Sequence, residues 1–108
     1  STRENLKLNF GQINSFTIHQ GSFLEIKRKN LLNNYDLICC NIIASVIEPL
    51  IPHFYEILNL KGSLILSGIL ESQKKQIIKL LNLYHFKIDN VLSKKDWICI
   101  KSSKVIKE

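Results

Sequence analysis

The chain contains no methionine, not even at position 1, and Trp97 is its single tryptophan. The missing initiator predicts a fragment or a processed start. Cys39, Cys40 and Cys99 show no Cys-x-x-Cys spacing, so they read as small buried hydrophobes rather than zinc ligands or disulfide partners. His19, His53 and His85 are scattered, and no metal site is expected. Apolar runs break off well before the ~18 residues that a membrane helix requires, and no signal peptide opens the chain. A cytoplasmic location with no membrane partner is the resulting expectation. Internal repeats, low-complexity tracts and linkers are absent, as are an aromatic RNP pattern and a Gly-x-x-Gly clamp of the kind that RNA-binding modules carry.

What is present fits one small globular domain. The 108 residues are 45% hydrophobic and 22% charged, and a chain of this size buries roughly two thirds of its unfolded surface. The formal charge of +6 is dispersed over Lys27-Arg28-Lys29, Lys74-Lys75-Lys79, Lys94-Lys95 and Lys101-Lys104-Lys107. These lie in a loop, a helix face, a turn and a tail, which reads as a solvated surface. Nucleic acid is therefore not expected as the main partner, although a non-enzymatic basic nucleic-acid-binding module remains a rival reading.

The organising stretch is Tyr35-Asp36-Leu37-Ile38-Cys39-Cys40-Asn41-Ile42-Ile43-Ala44. A short, nearly continuous apolar run predicts a strand buried on both faces, as in parallel α/β sheets. It stops on Asn41, at the carboxyl end where open α/β sheets place ligands. Before it, Ser1 to Gly11 reads as a helix ended by glycine, Ser15 to His19 as a strand, and Gln20-Gly21-Ser22 as a turn. After it, apolar residues from Ile43 to Leu58 recur at three- and four-residue intervals. Ser45 and Glu48 have capping-box spacing, and Pro49 and Pro52 predict a bent or two-part helix ending near Asn59. Lys61-Gly62 then opens a second strand buried on both faces, Ser63 to Ser67. Gly68-Ile69-Leu70 leads to a helix that starts at Glu71 or Ser72 and reaches Tyr84. Phe86 to Ser93 and Trp97 to Lys101 are strand-like, and the three residues between them permit only an antiparallel pair. Trp97 is assigned to the core, and Asp36, at the wrong end of its strand for chemistry, to a solvated or paired role.

Three separated segments resemble the bacterial PrmA family. Asn41-Ile42-Ile43-Ala44 is similar to its Asn-Ile-Leu-Ala motif, with Ile43 in place of the usual leucine. Gly62-Ser63-Leu64-Ile65-Leu66-Ser67-Gly68-Ile69-Leu70, followed by Gln73, is similar to its Gly-x-Leu-Ile-Leu-Ser-Gly-Ile-Leu motif. Asp96-Trp97-Ile98-Cys99-Ile100 is similar to its late tryptophan-containing strand. The family consists of S-adenosylmethionine-dependent methyltransferases acting on protein eleven of the large ribosomal subunit. The resemblance implies an α/β, Rossmann-like S-adenosylmethionine methyltransferase fold in truncated form, its parallel strands and helices closed by an antiparallel C-terminal hairpin. Residues 1–108 would be the C-terminal portion of a single class I methyltransferase domain, without the glycine-rich turn, the ribose-binding acid and the first two strands. It further implies S-adenosyl-L-methionine as cofactor and a ribosomal protein as substrate.

Asn41 is then the catalytic and cofactor-contacting residue, Gly21 and Ser22 approach the cofactor, and Ile42, Ser67 and Gly68 line the substrate cleft. The bland alternatives are a helix cap for Asn41, a turn for Gly21 and Ser22, and another turn for Ser67 and Gly68. Methyl transfer from a sulfonium disperses charge, so positioning dominates. An amine acceptor must be neutral to attack, and an amide carbonyl such as that of Asn41 can accept its N–H and aim its lone pair. The fragment alone is expected to bind the cofactor poorly and to be inactive. An RNA or small-molecule methyltransferase of the same fold is the alternative within the class.

Overall fold

A computed structural model describes residues 6–7, 14–19 and 35–107. Within them one six-stranded sheet contains β1 (Leu6–Lys7), β2 (Asn14–His19), β3 (Tyr35–Asn41), β4 (Leu58–Leu70), β5 (Phe86–Lys94) and β6 (Trp97–Lys104). Their order across the sheet is β1-β2-β3-β4-β6-β5. The strands β2, β3 and β4 run parallel, whereas β1 pairs antiparallel with β2 and the β5–β6 hairpin joins β4 through an antiparallel β6. The expected α/β organisation, parallel strands finished by an antiparallel hairpin, is thus observed.

The connection from β3 to β4 comprises α1 (Ala44–Ile47), a 3-10 turn (Glu48–Leu50) and α2 (Ile51–Ile57). Pro49 and Pro52 each fall at the first positions of a new helical segment, where a missing N–H is tolerated. This gives the two-part helix read from the sequence. The capping box does not form: α1 is capped by Ile43 without a side-chain hydrogen bond. Its first turn is closed instead by Val46 N and Ile47 N donating to Ile43 O at 3.0 and 3.1 Å. A second 3-10 turn, Glu71–Gln73, leads into α3 (Lys74–Leu83), and Gln73 Oε1 accepts from Leu70 N at 3.0 Å.

Several boundaries differ from expectation. The helix after β3 ends at Ile57 because β4 begins at Leu58 and runs for 13 residues, absorbing Gly68-Ile69-Leu70. The strand β6 continues to Lys104 because its partners on β4 and β5 extend the ladder past Lys101. Leu6–Lys7 is a strand paired with Ser15 and Asn14, so the helix read over Ser1 to Gly11 is wrong at those two residues. The remainder of that reading lies outside the described residues. The physical signal for a strand was in the alternation of Leu6, Leu8 and Phe10.

All three helices pack on one face of the sheet. Facing them are the rows Ile38–Leu64–Ser102 and Cys40–Leu66–Ile100, every member essentially fully buried. They close on Ile47, Ile51, Phe54, Ile77 and Leu81 in a single core. Each large apolar side chain so buried contributes about 1.5–3 kcal/mol. Ser102 is tolerated there because its Oγ donates to Leu64 O at 3.2 Å. On the opposite face, Leu37, Cys39 and Ile65 are only half-buried and Lys101 is exposed. The expectation that β3 and β4 are buried on both faces is therefore corrected, since the described helices cover one side alone.

Among the described residues no helix is long and apolar enough to cross a membrane.

Candidate functional site

Asn41 is the last residue of β3, at the sheet's carboxyl edge, beside Ser67 of β4 and, on its other side, His19 of β2 in register. The residue is exposed. Its amide makes no hydrogen bond among the described residues, and it does not cap α1, whose N-terminal turn is satisfied by Ile43 O. Its close neighbour is Gly68. Gly68 adopts φ +83°, in the left-handed region that favours glycine, at the irregularity where the pairing of β4 with β6 shifts between Leu66 and Ile69. A Cβ there would lie 2.9 Å from Asn41 Oδ1, 3.2 Å from Ile42 O and 3.4 Å from Ile42 N. The bulge in β4 thus lets its backbone pass close against the Asn41 amide, which rests on it. Ser67 Oγ donates a long hydrogen bond to Cys40 O at 3.5 Å and ties the two strand ends together.

These residues form the floor of a cleft of about 490 Å³ lined by Asn41, Ile43, Ser67, Gly68, Leu92 and Trp97, together with Ile42, Ser93, Lys94, Ile98 and Cys99. The alternation along β3, β4 and β6 places Asn41, Ser67, Cys99 and Trp97 on the side that the described helices leave open. The walls are largely apolar. Ile43 is 50% exposed, Leu92 61% and Trp97 53%, forming a rim of large apolar side chains around one free amide. The assignment of Trp97 to the core is thereby overturned. Its strand starts at the open end of the hairpin, where Trp97 pairs with Lys94 and Leu70 and has no ring contact among the described residues.

Four sequence-predicted residues, Asn41, Ile42, Ser67 and Gly68, meet at this cleft. Ile42 does so mainly through its backbone, because its side chain is buried in the core. Gly21 and Ser22 lie outside the described residues. The contribution of the hairpin, Leu92 to Cys99, was not read from the sequence. The signal for it was the short connection itself: a strand entering antiparallel to β4 must begin beside the carboxyl end of β4, where Asn41 stands.

Several polar groups away from the cleft brace the fold. Asn59 Nδ2 donates to Asp36 Oδ1 at 2.7 Å at the opposite edge, which places Asp36 among paired groups as expected. Lys104, almost fully buried, donates from Nζ to Leu58 O at 2.7 Å and stands 4.4 Å from the centre of the Tyr55 ring. Burial lowers its pKa, nearby Glu56 opposes that shift and Lys107 adds to it. Tyr55 in turn donates to Val105 O at 2.6 Å. Burial pushes the Cys40 thiol up to about 12, with Cys39 adding to the shift, and raises Cys39 with a further push from Cys99. Cys40 is therefore an inert core thiol, as read.

Comparison with known proteins gives a consistent answer. A relative described as ribosomal protein L11 methyltransferase from Prochlorococcus marinus (strain MIT 9515) is 46% identical over 106 residues, covering 98% of this chain and 35% of its own length. One of the same description from Staphylococcus haemolyticus (strain JCSC1435) is 34% identical, over 94% of this chain and 34% of its own. The chain thus spans about a third of the length of the curated relatives it matches. The crystal structure of a ribosomal protein L11 methylase from Lactobacillus delbrueckii subsp. bulgaricus superposes with a TM-score of 0.65 at 34% identity, over 68% of this chain and 38% of that one. A Burkholderia thailandensis N1-methyltransferase with bound S-adenosylhomocysteine shares the fold, at TM-score 0.61 and 11% identity over 75% of this chain and 48% of that one. The profile of the family described as "Ribosomal protein L11 methyltransferase (PrmA)" matches residues 1–105, and the chain belongs to that family.

Proposed function

We propose that this chain is the C-terminal portion of a single class I methyltransferase domain that transfers methyl groups from S-adenosyl-L-methionine to amino groups of a ribosomal protein, in the cytoplasm. The observation that carries the reading is the Asn41 amide. It sits at the carboxyl edge of a parallel pair, without a hydrogen-bond partner among the described residues, on the floor of a mostly apolar cleft. A polar group left unsatisfied beside an open cleft is available to a ligand, whereas one buried in the fold would be costly.

The residues present suit one part of the cofactor. The Asn41 amide offers a donor and an acceptor to its amino-acid end, and apolar walls suit the uncharged surroundings of the sulfonium. When bound, the cofactor supplies an activated methyl group. The chain's own part is orientation: Asn41 Oδ1 accepts an N–H from the acceptor amine and holds its lone pair in line, while the apolar rim of Ile43, Leu92 and Trp97 excludes water and favours the neutral amine. A ribosomal-protein side chain with an apolar stem and an amino tip, such as lysine, fits that combination. The half-buried face of Leu37, Cys39 and Ile65 supports a domain completed by further chain, since parallel sheets are normally covered on both sides. The relatives are about three times as long. Gly21 and Ser22 are assigned to the cofactor's side of that completed domain.

The test is methyl transfer by the full-length protein to the purified ribosomal protein and, separately, to RNA. Asn41→Ala is expected to lower kcat by about 10²-fold, the loss typical of a misplaced reactant, with label appearing on the protein acceptor alone. Unchanged kcat, or label on RNA, would overturn the assignment. The 108-residue chain alone is expected to show no micromolar affinity for S-adenosylmethionine in calorimetric titration.

A further inference from the structure

The helix α3 carries its charge the wrong way round. Its sequence, Lys-Lys-Gln-Ile-Ile-Lys-Leu-Leu-Asn-Leu, has no acidic residue in the first turn and no basic residue in the last. Lys74 and Lys75 instead occupy the end where the helix dipole is positive. Lys74 has Glu71 at 3.9 Å, but Lys75 and Lys79 form no ion pair among the described residues, nor do Lys94 and Lys95 in the adjoining hairpin. Glu71 N donates to Asp96 O at 2.8 Å, which brings the hairpin turn against the start of α3. One surface therefore presents five lysines against the carboxylates of Glu71 and Asp96. Local electrostatics gains nothing from that arrangement, and such conflicts are expected where a surface serves a partner.

The layout of this surface points to the partner's chemistry. Lys75, Lys79 and Leu83 lie four residues apart along one exposed stripe, and the two lysines flank a shallow groove with Gln76 and Leu80. About one helical turn of 5.4 Å separates the two residues along the helix axis, a spacing comparable to that of successive phosphates on a nucleic-acid strand. At the far end of the stripe stand Leu83, 62% exposed, and Tyr84, 37% exposed, beside Lys107 and Glu56 in a second groove. Charges that track a backbone followed by an open aromatic ring are the requirements for single-stranded RNA, in which bases can splay out and stack.

We infer that the exposed stripe of α3, from Lys94 and Lys95 of the hairpin through Lys75 and Lys79 to Tyr84, is a contact surface for single-stranded RNA. It meets the methyl-transfer cleft at Lys94, which lines both, and does not depend on the function assigned there. Phosphates pair with the lysines, and one base stacks on Tyr84.

Fluorescence anisotropy with a labelled uridine-rich single strand, titrated at several salt concentrations, tests this. With four lysines on phosphates, the log–log salt slope should be about −3, at about −0.7 per phosphate. Lys75→Gln with Lys79→Gln should flatten the slope to about half, while Lys61→Gln, a single charge loss on β4 outside the stripe, should leave binding within about twofold. Tyr84→Ala should weaken binding about tenfold at every salt concentration without altering the slope. All four positions are exposed, and far-ultraviolet circular dichroism will show each variant folded. Salt-independent binding, equal losses from Lys61→Gln, or tighter binding of polyglutamate or of anionic phospholipid vesicles than of the RNA would overturn the proposal.

Discussion

The pair β3 and β4 carries an asparagine packed against a glycine at each of its two ends, and the two ends behave differently. At the amino edge, Asn59 Nδ2 donates to Asp36 Oδ1 at 2.7 Å, and a Cβ on Gly62 would meet Asn59 O at 2.7 Å and Asp36 O at 3.3 Å. At the carboxyl edge, Gly68 is pressed as closely against Asn41, yet that amide has no partner in the described fold. Residue types and steric crowding are nearly the same. What separates a brace from a site is whether the amide's hydrogen bonds are already made, and at Asn41 they are not made within the described fold.

That contrast can be broken by exchange. Asn41→Ala should cost about 10²-fold in methyl transfer by the full-length protein and change stability by less than about 0.5 kcal/mol. Asn59→Ala should do the reverse, losing about 1–3 kcal/mol in urea unfolding because Asp36 loses a donor, with kcat unchanged. Equal effects from the two would erase the distinction. The glycines sharpen it: Gly68→Ala forces a side chain into left-handed backbone and against Asn41, so about 1–2 kcal/mol of stability should be lost together with activity. Gly62→Ala, whose new Cβ would meet Asn59 O at 2.7 Å and Leu58 Cδ2 at 3.0 Å, should destabilise by about 1–3 kcal/mol through overpacking and spare the rate of the folded fraction.

Smaller effects are expected at the periphery. Trp97→Ala should raise KM for the protein acceptor about tenfold, the equivalent of about 1.4 kcal/mol, while moving the unfolding midpoint little because Trp97 is 53% exposed. A large stability loss would return Trp97 to the core. Least of all, Lys104→Met should be within about 1 kcal/mol of neutral, since its hydrogen bond to Leu58 O and its desolvation nearly offset one another. Burial sets its folded pKa below the unfolded one. The charge penalty is thus present in full below the folded pKa and is relieved as pH rises through it. Wild-type stability relative to Lys104→Met should accordingly climb in the alkaline range and stay level near neutrality.

Much of the architecture was legible because the strongest local signals agree with the tertiary structure. The apolar run before Asn41 gave β3, the two prolines gave the broken helix, and a three-residue connection gave the hairpin. The motifs around Asn41 and Gly68 gave the floor of the cleft. The misses share a cause, which is that a linear pattern reports apolarity and not what covers it. Leu37, Cys39 and Ile65 look as buried as Ile38 and Leu64, yet only the latter face helices. A lone tryptophan has no periodicity to show whether it faces the core or the rim. Gly68 reads as a turn residue, and only the pairing of β4 with β6 reveals it as a bulge inside a long strand.

The sharpest test compares the side-chain amide signals of Asn41 and Asn59 by nitrogen-15 NMR of the full-length protein as S-adenosylhomocysteine is added. The Asn41 NH₂ resonances should shift and their exchange with water should slow, while those of Asn59 stay in place. Unmoved Asn41 signals at saturating ligand would contradict the assignment of that amide to the ligand.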